Sequence, residues 1–330
     1  MRYRFPKMPD GKPDAIWFGG DYNPEQWPEE TVEEDIRLMR RAGINLVTLG
    51  VFAWALIEPE DGKFQFAWLD KIADRLYENG IFVDMATATA TPPRWLTCKH
   101  PEILPRDRYG NTIWPGGRQH WRPTSSVFRK YALRLTEKMA EHYKDHPAVV
   151  AWHVSNELGC HNIFDYSEDA AAGFREWLKK KYGSLEDLNR AWNGPFWSQM
   201  VTDWSQIIPP RACSGGVNPT TLLDFKRFSS DALLEYYEAE AAVLHEQTPH
   251  IPVTTNLMVL ENQTNPVDCF RWGLHMDFVS NDHYYLPDRR HLDEMTMSAA
   301  IVEGISKGNP WMLMENSTSS VNWRPVNLRK

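Results

Sequence analysis

The feature that most constrains this chain is a regular alternation of short apolar, β-prone runs with amphipathic helical stretches. Periodicity and turn residues predict strands at 16–22, 44–50, 81–87 and 149–155, and again at 252–257, 278–281 and 311–314. Between them the apolar spacing predicts helices at 28–42, 68–79, 125–144, 168–182, 185–192, 222–246 and 292–305. Local punctuation agrees. Gly43 and Gly80 stand where the first two helices should stop. Leu69, Ile72, Ala73 and Leu76 fall on one face of the second helix. The run 149–155 is apolar enough to be buried on both faces, as a parallel strand is.

Repeated β-α units build a parallel sheet, either open or closed into a barrel. An open dinucleotide-binding sheet would carry G-x-G-x-x-G after its first strand, and none stands there. The long segments follow the C-terminal ends of predicted strands, notably the Pro- and Trp-rich stretch 90–123 and the helical insertion after strand four. Barrels keep their chemistry at that end. The expected fold is therefore α/β, a (β/α)8 TIM barrel with a helical insertion after strand 4. Only seven strands are found, and residues 316–330 are too polar for an eighth. A barrel short of one strand leaves two unpaired edges. The expectation is one catalytic barrel domain over residues 1–330, incomplete before strand 8. Either the chain is part of a longer protein, or the missing strand comes from another chain, or one strand escapes the count.

Composition excludes several classes. The formal net charge is −8, which argues against a nucleic-acid partner, because phosphate contacts need clustered Lys and Arg. No apolar run approaches the roughly 18 residues of a membrane helix. The first twenty residues contain no apolar h-region, so no secretory signal is expected. The four cysteines, Cys98, Cys160, Cys213 and Cys269, form no C-x-x-C pair. They read as reduced thiols in a reducing compartment, hence a cytoplasmic location. The fifteen tryptophans exceed ordinary usage and shift the balance toward carbohydrate, whose C–H faces stack on flat rings.

Two glutamates carry the chemistry. Glu157 closes the run Val149-Val150-Ala151-Trp152-His153-Val154-Ser155-Asn156-Glu157, and Glu315 closes Trp311-Met312-Leu313-Met314-Glu315. One glutamate at a strand end more often holds a loop or pairs with an arginine. Two of them, on strands four and seven of a barrel, suit the carboxyl pair that glycosidic cleavage requires. Asn156 adds an amide that can bond a sugar hydroxyl.

At this point the chain resembles a known family. Gly19-Gly20-Asp21-Tyr22-Asn23-Pro24-Glu25-Gln26-Trp27-Pro28 is similar to the opening motif of glycoside hydrolase family 42. Val51-Phe52-Ala53-Trp54 through Glu58-Pro59, with Gly62, resembles its second-strand motif, and Asn156-Glu157-Leu158-Gly159 with His161 its acid/base motif. The resemblance implies a retaining β-galactosidase that acts on terminal β-D-galactosides through a covalent galactosyl-enzyme. It implies Glu157 as acid/base, Glu315 as nucleophile, and Arg118, Asn156, Tyr284 and Trp323 as substrate-binding residues. Retention also requires the two carboxyl groups to differ in proton affinity. The resemblance further implies a homo-oligomer, commonly a trimer, and a complementary C-terminal segment that supplies strand 8.

Many family members hold zinc on a cysteine cluster. Here Arg122 and the stretch Phe164-Asp165-Tyr166-Ser167 stand in place of cysteines, so no metal site and no cofactor is expected. The alternatives within enzymes are an α-L-arabinopyranosidase or β-fucosidase. A non-catalytic piece that needs a complementary chain is the alternative outside them.

Overall fold

The computed structural model describes residues 3–8, 16–260, 264, 266–284, 291–316 and 321. Strand β1 (Gly19–Tyr22) leads to helix α1 (Thr31–Ala42). Strand β2 (Leu46–Leu49) leads to the short α2 (Trp54–Ile57) and then α3 (Ala67–Glu78). After β3 (Phe82–Ala86) come α4 (Arg94–Lys99) and α5 (Ser126–Tyr143). After β4 (Val149–His153) the insertion contributes α6 (Glu168–Tyr182), α7 (Leu185–Trp192) and α8 (Pro219–Gln247). Strand β5 runs in two halves, Val253–Thr254 and Asn256–Leu257. Then follow α9 (Cys269–Trp272), β6 (Ser280–His283), α10 (His291–Ser306) and β7 (Met312–Asn316). All strand pairs are parallel and follow chain order. Among the described residues this is the seven-stranded α/β barrel arrangement that the alternation predicts.

The strands sort their side chains by alternation. Val47, Leu49, Val83 and Met85 join Ile36, Leu69, Ile72 and Leu76 from the helices in one apolar core. The intervening positions Thr48, Asp84, His153, Thr254 and Asp282 are buried and polar. Thr48 Oγ1 lies 3.4 Å from Asp84 Oδ2, and 3.7 Å from Met314 Sδ on β7. The apolar core therefore lies between strands and helices, while the barrel interior is lined with hydrogen-bonding groups. Strand four is buried on both faces, as its sequence predicts: Trp152 lies in the apolar core, bonded to Thr248 Oγ1 at 3.0 Å, and His153 lies among the buried polar residues.

Of the boundaries that differ from the sequence expectation, three do so for a clear local reason. The first strand starts at Gly19 because Asn45 captures Phe18: its Oδ1 accepts from the Phe18 N–H at 2.8 Å, and its own N–H donates to Phe18 O. Gly19 itself is required, since a Cβ there would lie 1.6 Å from Leu46 O. Strand five is interrupted at Thr255, and hydroxyls hold the chain where the ladder lapses. Thr255 Oγ1 donates to Val154 O at 2.8 Å, and Ser280 Oγ donates to Thr255 O at 2.9 Å. Strand six begins two residues late, at Ser280, because the polar run Ser-Asn-Asp-His, not the apolar run before it, forms the ladder.

The insertion has a second core. Phe174, Leu178, Leu188, Trp192, Phe225 and Phe228 pack together apart from the barrel. Helix α8 spans both: Phe225 and Phe228 belong to the insertion core, Leu233, Tyr237 and Leu244 to the barrel core. Among the described residues β1 pairs only with β2, and β7 only with β6. Between these two edges lies a cavity of about 960 Å³, lined by Phe18, Gly19, Asp21, Tyr284, Leu313 and Glu315 among others. No described helix is long and apolar enough to cross a membrane.

Candidate active site

The C-terminal ends of β4, β5, β6 and β7 converge on one polar cluster. Glu157 follows β4 through a strained turn. Ser155 has φ 57° and Glu157 φ 43°, left-handed conformations that non-glycine residues hold only when their surroundings impose them. Gln119, itself at φ 57°, is part of that imposition. Its Nε2 donates to Glu157 O at 2.8 Å and also to Asn156 O, while its Oε1 accepts from the His161 N–H at 2.9 Å. Thr87 Oγ1 accepts from the Ser155 N–H at 2.9 Å. The side chain that results, Glu157, is only 2% exposed.

Glu315 arrives by a different device. Asn281 pairs with Leu313, but Asp282 pairs with Glu315, so β7 bulges by one residue at Met314. In an uninterrupted strand Glu315 would share a face with Leu313, which is 40% exposed. The bulge re-aims it beside the buried Asp282. Oxygens of Glu157, Asp282 and Glu315 all lie within 4.8 Å of one another. Among the described residues these three carboxylates form the group whose spacing could hold a cation.

The remaining expected residues gather around this cluster. Arg118, from the segment after β3, pairs with the Glu157 carboxylate, and its guanidinium carbon lies 5.8 Å from the centre of the Phe52 ring. The Tyr284 hydroxyl, directly after β6, donates to Glu315 Oε2. Asn156 is buried beside Glu157. Trp323 lies outside the described residues. Where the resemblance places cysteines, Arg122 donates from Nε to Leu104 O at 2.8 Å and pairs with Asp169 at 3.0 Å. Asp165 accepts from the Arg106 N–H at 2.9 Å. The second-strand motif builds the wall rather than the centre. Glu58 accepts from Trp54 Nε1 at 3.0 Å and from the Gly62 N–H at 2.7 Å, and pairs with Arg134.

Three residues were missed from the sequence. Asn256, at the break in β5, donates from Nδ2 toward Asp282 Oδ2 at 2.8 Å, Glu315 Oε1 at 3.0 Å and Asn156 Oδ1 at 3.1 Å. Its Oδ1 accepts from the Glu157 N–H at 2.7 Å and from His153 Nε2 at 3.0 Å. Asp282 and His153 are the other two. For His153 and Asn256 the available signal was parity, since in the predicted strands they alternate with residues of the apolar core; Asp282 lies one residue past the strand predicted at 278–281.

Burial and charge set the proton affinities. Burial pushes the Asp282 carboxyl well above the usual range, and the neighbouring Glu315 and Glu157 add to this, against the Asn256 bond. Burial also raises Glu315, while the Tyr284 hydroxyl, the Arg118 charge and the Asn256 amide hold it back. Tyr284 is raised by burial and by Glu315, so it stays a donor. Burial lowers His153 to about 4, leaving it neutral at neutral pH.

A parallel barrel with close carboxylates at strand C-termini defines the class of barrel glycoside hydrolases. The profile of glycoside hydrolase family 42, described as beta-galactosidase, matches residues 21–330, and the chain belongs to this family. It is 55% identical over 330 residues to beta-galactosidase BbgII of Bifidobacterium bifidum, covering 99% of this chain and 48% of that protein. The crystal structure of beta-galactosidase from Bacillus circulans sp. alkalophilus superposes with a TM-score of 0.89 at 42% identity, over 95% of this chain and 46% of that one. A third similar structure is a Glu-to-Ala catalytic mutant of Gan42B, a family-42 beta-galactosidase from G. stearothermophilus. It has a TM-score of 0.87 at 37% identity, over 94% of this chain and 47% of that one. The chain thus spans about half the length of the relatives it matches.

Proposed function

We propose that this chain is the catalytic barrel of a retaining β-galactosidase, with Glu315 as nucleophile and Glu157 as acid/base. The observation that carries the reading is the approach of the Glu157 and Glu315 oxygens to within 4.8 Å. Double displacement needs carboxyl groups about 5–5.5 Å apart, whereas inversion needs about 6.5–9.5 Å to admit a water between them. Glu315 attacks the anomeric carbon, and Glu157 protonates the departing oxygen. Water, deprotonated by Glu157, then releases galactose. Tyr284 and Asn256 hold the attacking carboxylate by hydrogen bonds, and Arg118 offers fixed donors to sugar hydroxyls once the sugar displaces part of its pairing with Glu157. Asn156 and Trp323 contact the sugar in this reading.

A second reading is favoured by the cavity between β1 and β7: a complementary segment seats there, closes the barrel and completes the site. Exposed thiols at Cys98 and Cys213 fit a reducing, cytoplasmic setting. A trimeric assembly is expected on the family resemblance.

The test is kinetic, on nitrophenyl β-D-galactoside, β-D-fucoside and α-L-arabinopyranoside, using the chain alone and with a purified segment that follows the matched region in a relative. E315G is expected to lose turnover, and azide is expected to give α-galactosyl azide. E157A is expected to keep glycosylation with good leaving groups, and azide to give the β-azide. Near-normal turnover in both variants would sink the assignment, as would no hydrolysis of any of the three by either preparation.

A further inference from the structure

Asn256 joins the two walls of the site through a single side chain. Its carbonyl oxygen serves the Glu157 side, accepting from the Glu157 N–H at 2.7 Å and from His153 Nε2 at 3.0 Å. Its amide nitrogen serves the Glu315 side, at 3.0 Å from Glu315 Oε1 and 2.8 Å from Asp282 Oδ2. Only one orientation of the amide fits. Turned over, its carbonyl would meet two carboxyl groups and its NH2 would meet the Glu157 N–H. We propose that Asn256 is a positioning residue for the reaction: it fixes the backbone that carries the acid/base and the carboxylate of the nucleophile relative to each other. This rests on the roles proposed above for Glu157 and Glu315.

The energetics favour such a role. The left-handed Glu157 backbone, at φ 43°, is strained and persists only while its neighbours hold it. The Asn256 carbonyl is one of those neighbours, and its bond to a buried N–H is expensive to lose. On the other wall, an N–H donor to Glu315 favours the ionised form that attack requires. Neutral His153 donates from Nε2, so it pins the carbonyl half of Asn256 without adding charge.

The amide is also over-subscribed. Nδ2 has two hydrogens and faces three acceptors, Glu315, Asp282 and, at 3.1 Å, Asn156 Oδ1. A sugar hydroxyl that donates to Asn156 Oδ1 relieves the competition, leaving both hydrogens for Glu315 and Asp282. Sugar binding at Asn156 thereby tightens the hold on the nucleophile.

The test uses N256D and N256A in whichever preparation supports turnover. Asn256→Asp keeps the size and the acceptor for Glu157 N–H but replaces the donor by an anion beside two carboxyl groups. The expected loss in kcat/KM is about 10³-fold for N256D and about 10²-fold for N256A, carried in kcat with KM changed less than about threefold. The acid limb of the pH profile of kcat/KM should move up by about one pH unit in N256D and by less in N256A. A packing role would lower the melting temperature and leave the acid limb in place. An unmoved acid limb, with or without loss of stability, overturns the proposal. If N256D does not fold, the same readouts on N256A decide. Normal azide behaviour of E157A and E315G beside unaffected Asn256 variants removes only the role of Asn256. Near-normal turnover of the glutamate variants removes the site reading itself.

Discussion

The two walls of the site are built differently. Glu157 stands at the end of a strand paired on both sides, by β3 and by the first half of β5. It is almost fully buried, its backbone is clamped by Gln119 and Asn256, and Thr87 holds Ser155 two residues before it. Glu315 sits on a strand paired on one side only among the described residues, next to a cavity and one residue beyond a bulge. Its carboxylate is held by side chains, Tyr284 and Asn256. The closed wall is pre-organised by ladder and core; the open wall relies on side-chain hydrogen bonds. In this chain the position of Glu157 is therefore the more strongly determined of the two.

Breaking the closed wall should cost most. Leu49 on β2 has no exposed surface and packs in the main apolar core. L49A should lose about 4 kcal/mol in a denaturant titration, near the top of the range for core leucines, because strands and helix hold the vacated space open on every side. A loss under about 1 kcal/mol would mean that the closed wall can collapse around a void and is not rigid.

A second test probes the polar lining of the same wall. Asp84 on β3 is fully buried, its Oδ2 is 3.4 Å from Thr48 Oγ1, and burial raises its carboxyl to about 7. The folded state thus binds this proton more tightly than the unfolded state. Its contribution is intact below the unfolded value near 3.8 and is lost as pH rises through about 7. The slope from one such group is at most about 1.4 kcal/mol per pH unit. D84N should remove that slope from a stability-against-pH curve between pH 4 and 7. An unchanged slope would show that Asp84 is solvated in the barrel interior.

The same contrast explains what could be read from the sequence. The order of elements was legible because helix and strand periods differ, and the strands on both walls bury one apolar face: Leu49 and Val83 on one, Val279 before β6 on the other. Glu157 and Glu315 were legible because each ends an apolar run. Arg118, Asn156 and Tyr284 came with the family resemblance, and the structure brings all three to the carboxylates. Asn256, Asp282 and His153 were not legible, since a buried polar residue inside a barrel has the same letter as an exposed one on its rim. Nor could the letters show the left-handed turn at Glu157 or the bulge at Met314. The turn is held by Gln119 and Asn256, and the bulge shows only in the pairing with Asn281 and Asp282, all distant in the chain.

The smallest expected effect lies on the open wall and sharpens the comparison. Leu313 on β7 lines the cavity and is 40% exposed. In the chain alone, L313A should cost less than about 1 kcal/mol, because part of the side chain is already in water. If a complementary segment fills the cavity, the leucine becomes buried, and the same substitution should weaken the complex by about 2 kcal/mol, roughly 30-fold in affinity. Titration of the purified segment into wild-type and L313A chains measures this directly. Equal affinities would place the segment elsewhere and leave the open wall as the working form of the site. A large loss of stability in the chain alone would mean that β7 is already as well buttressed as β2, and the distinction between the walls would fall.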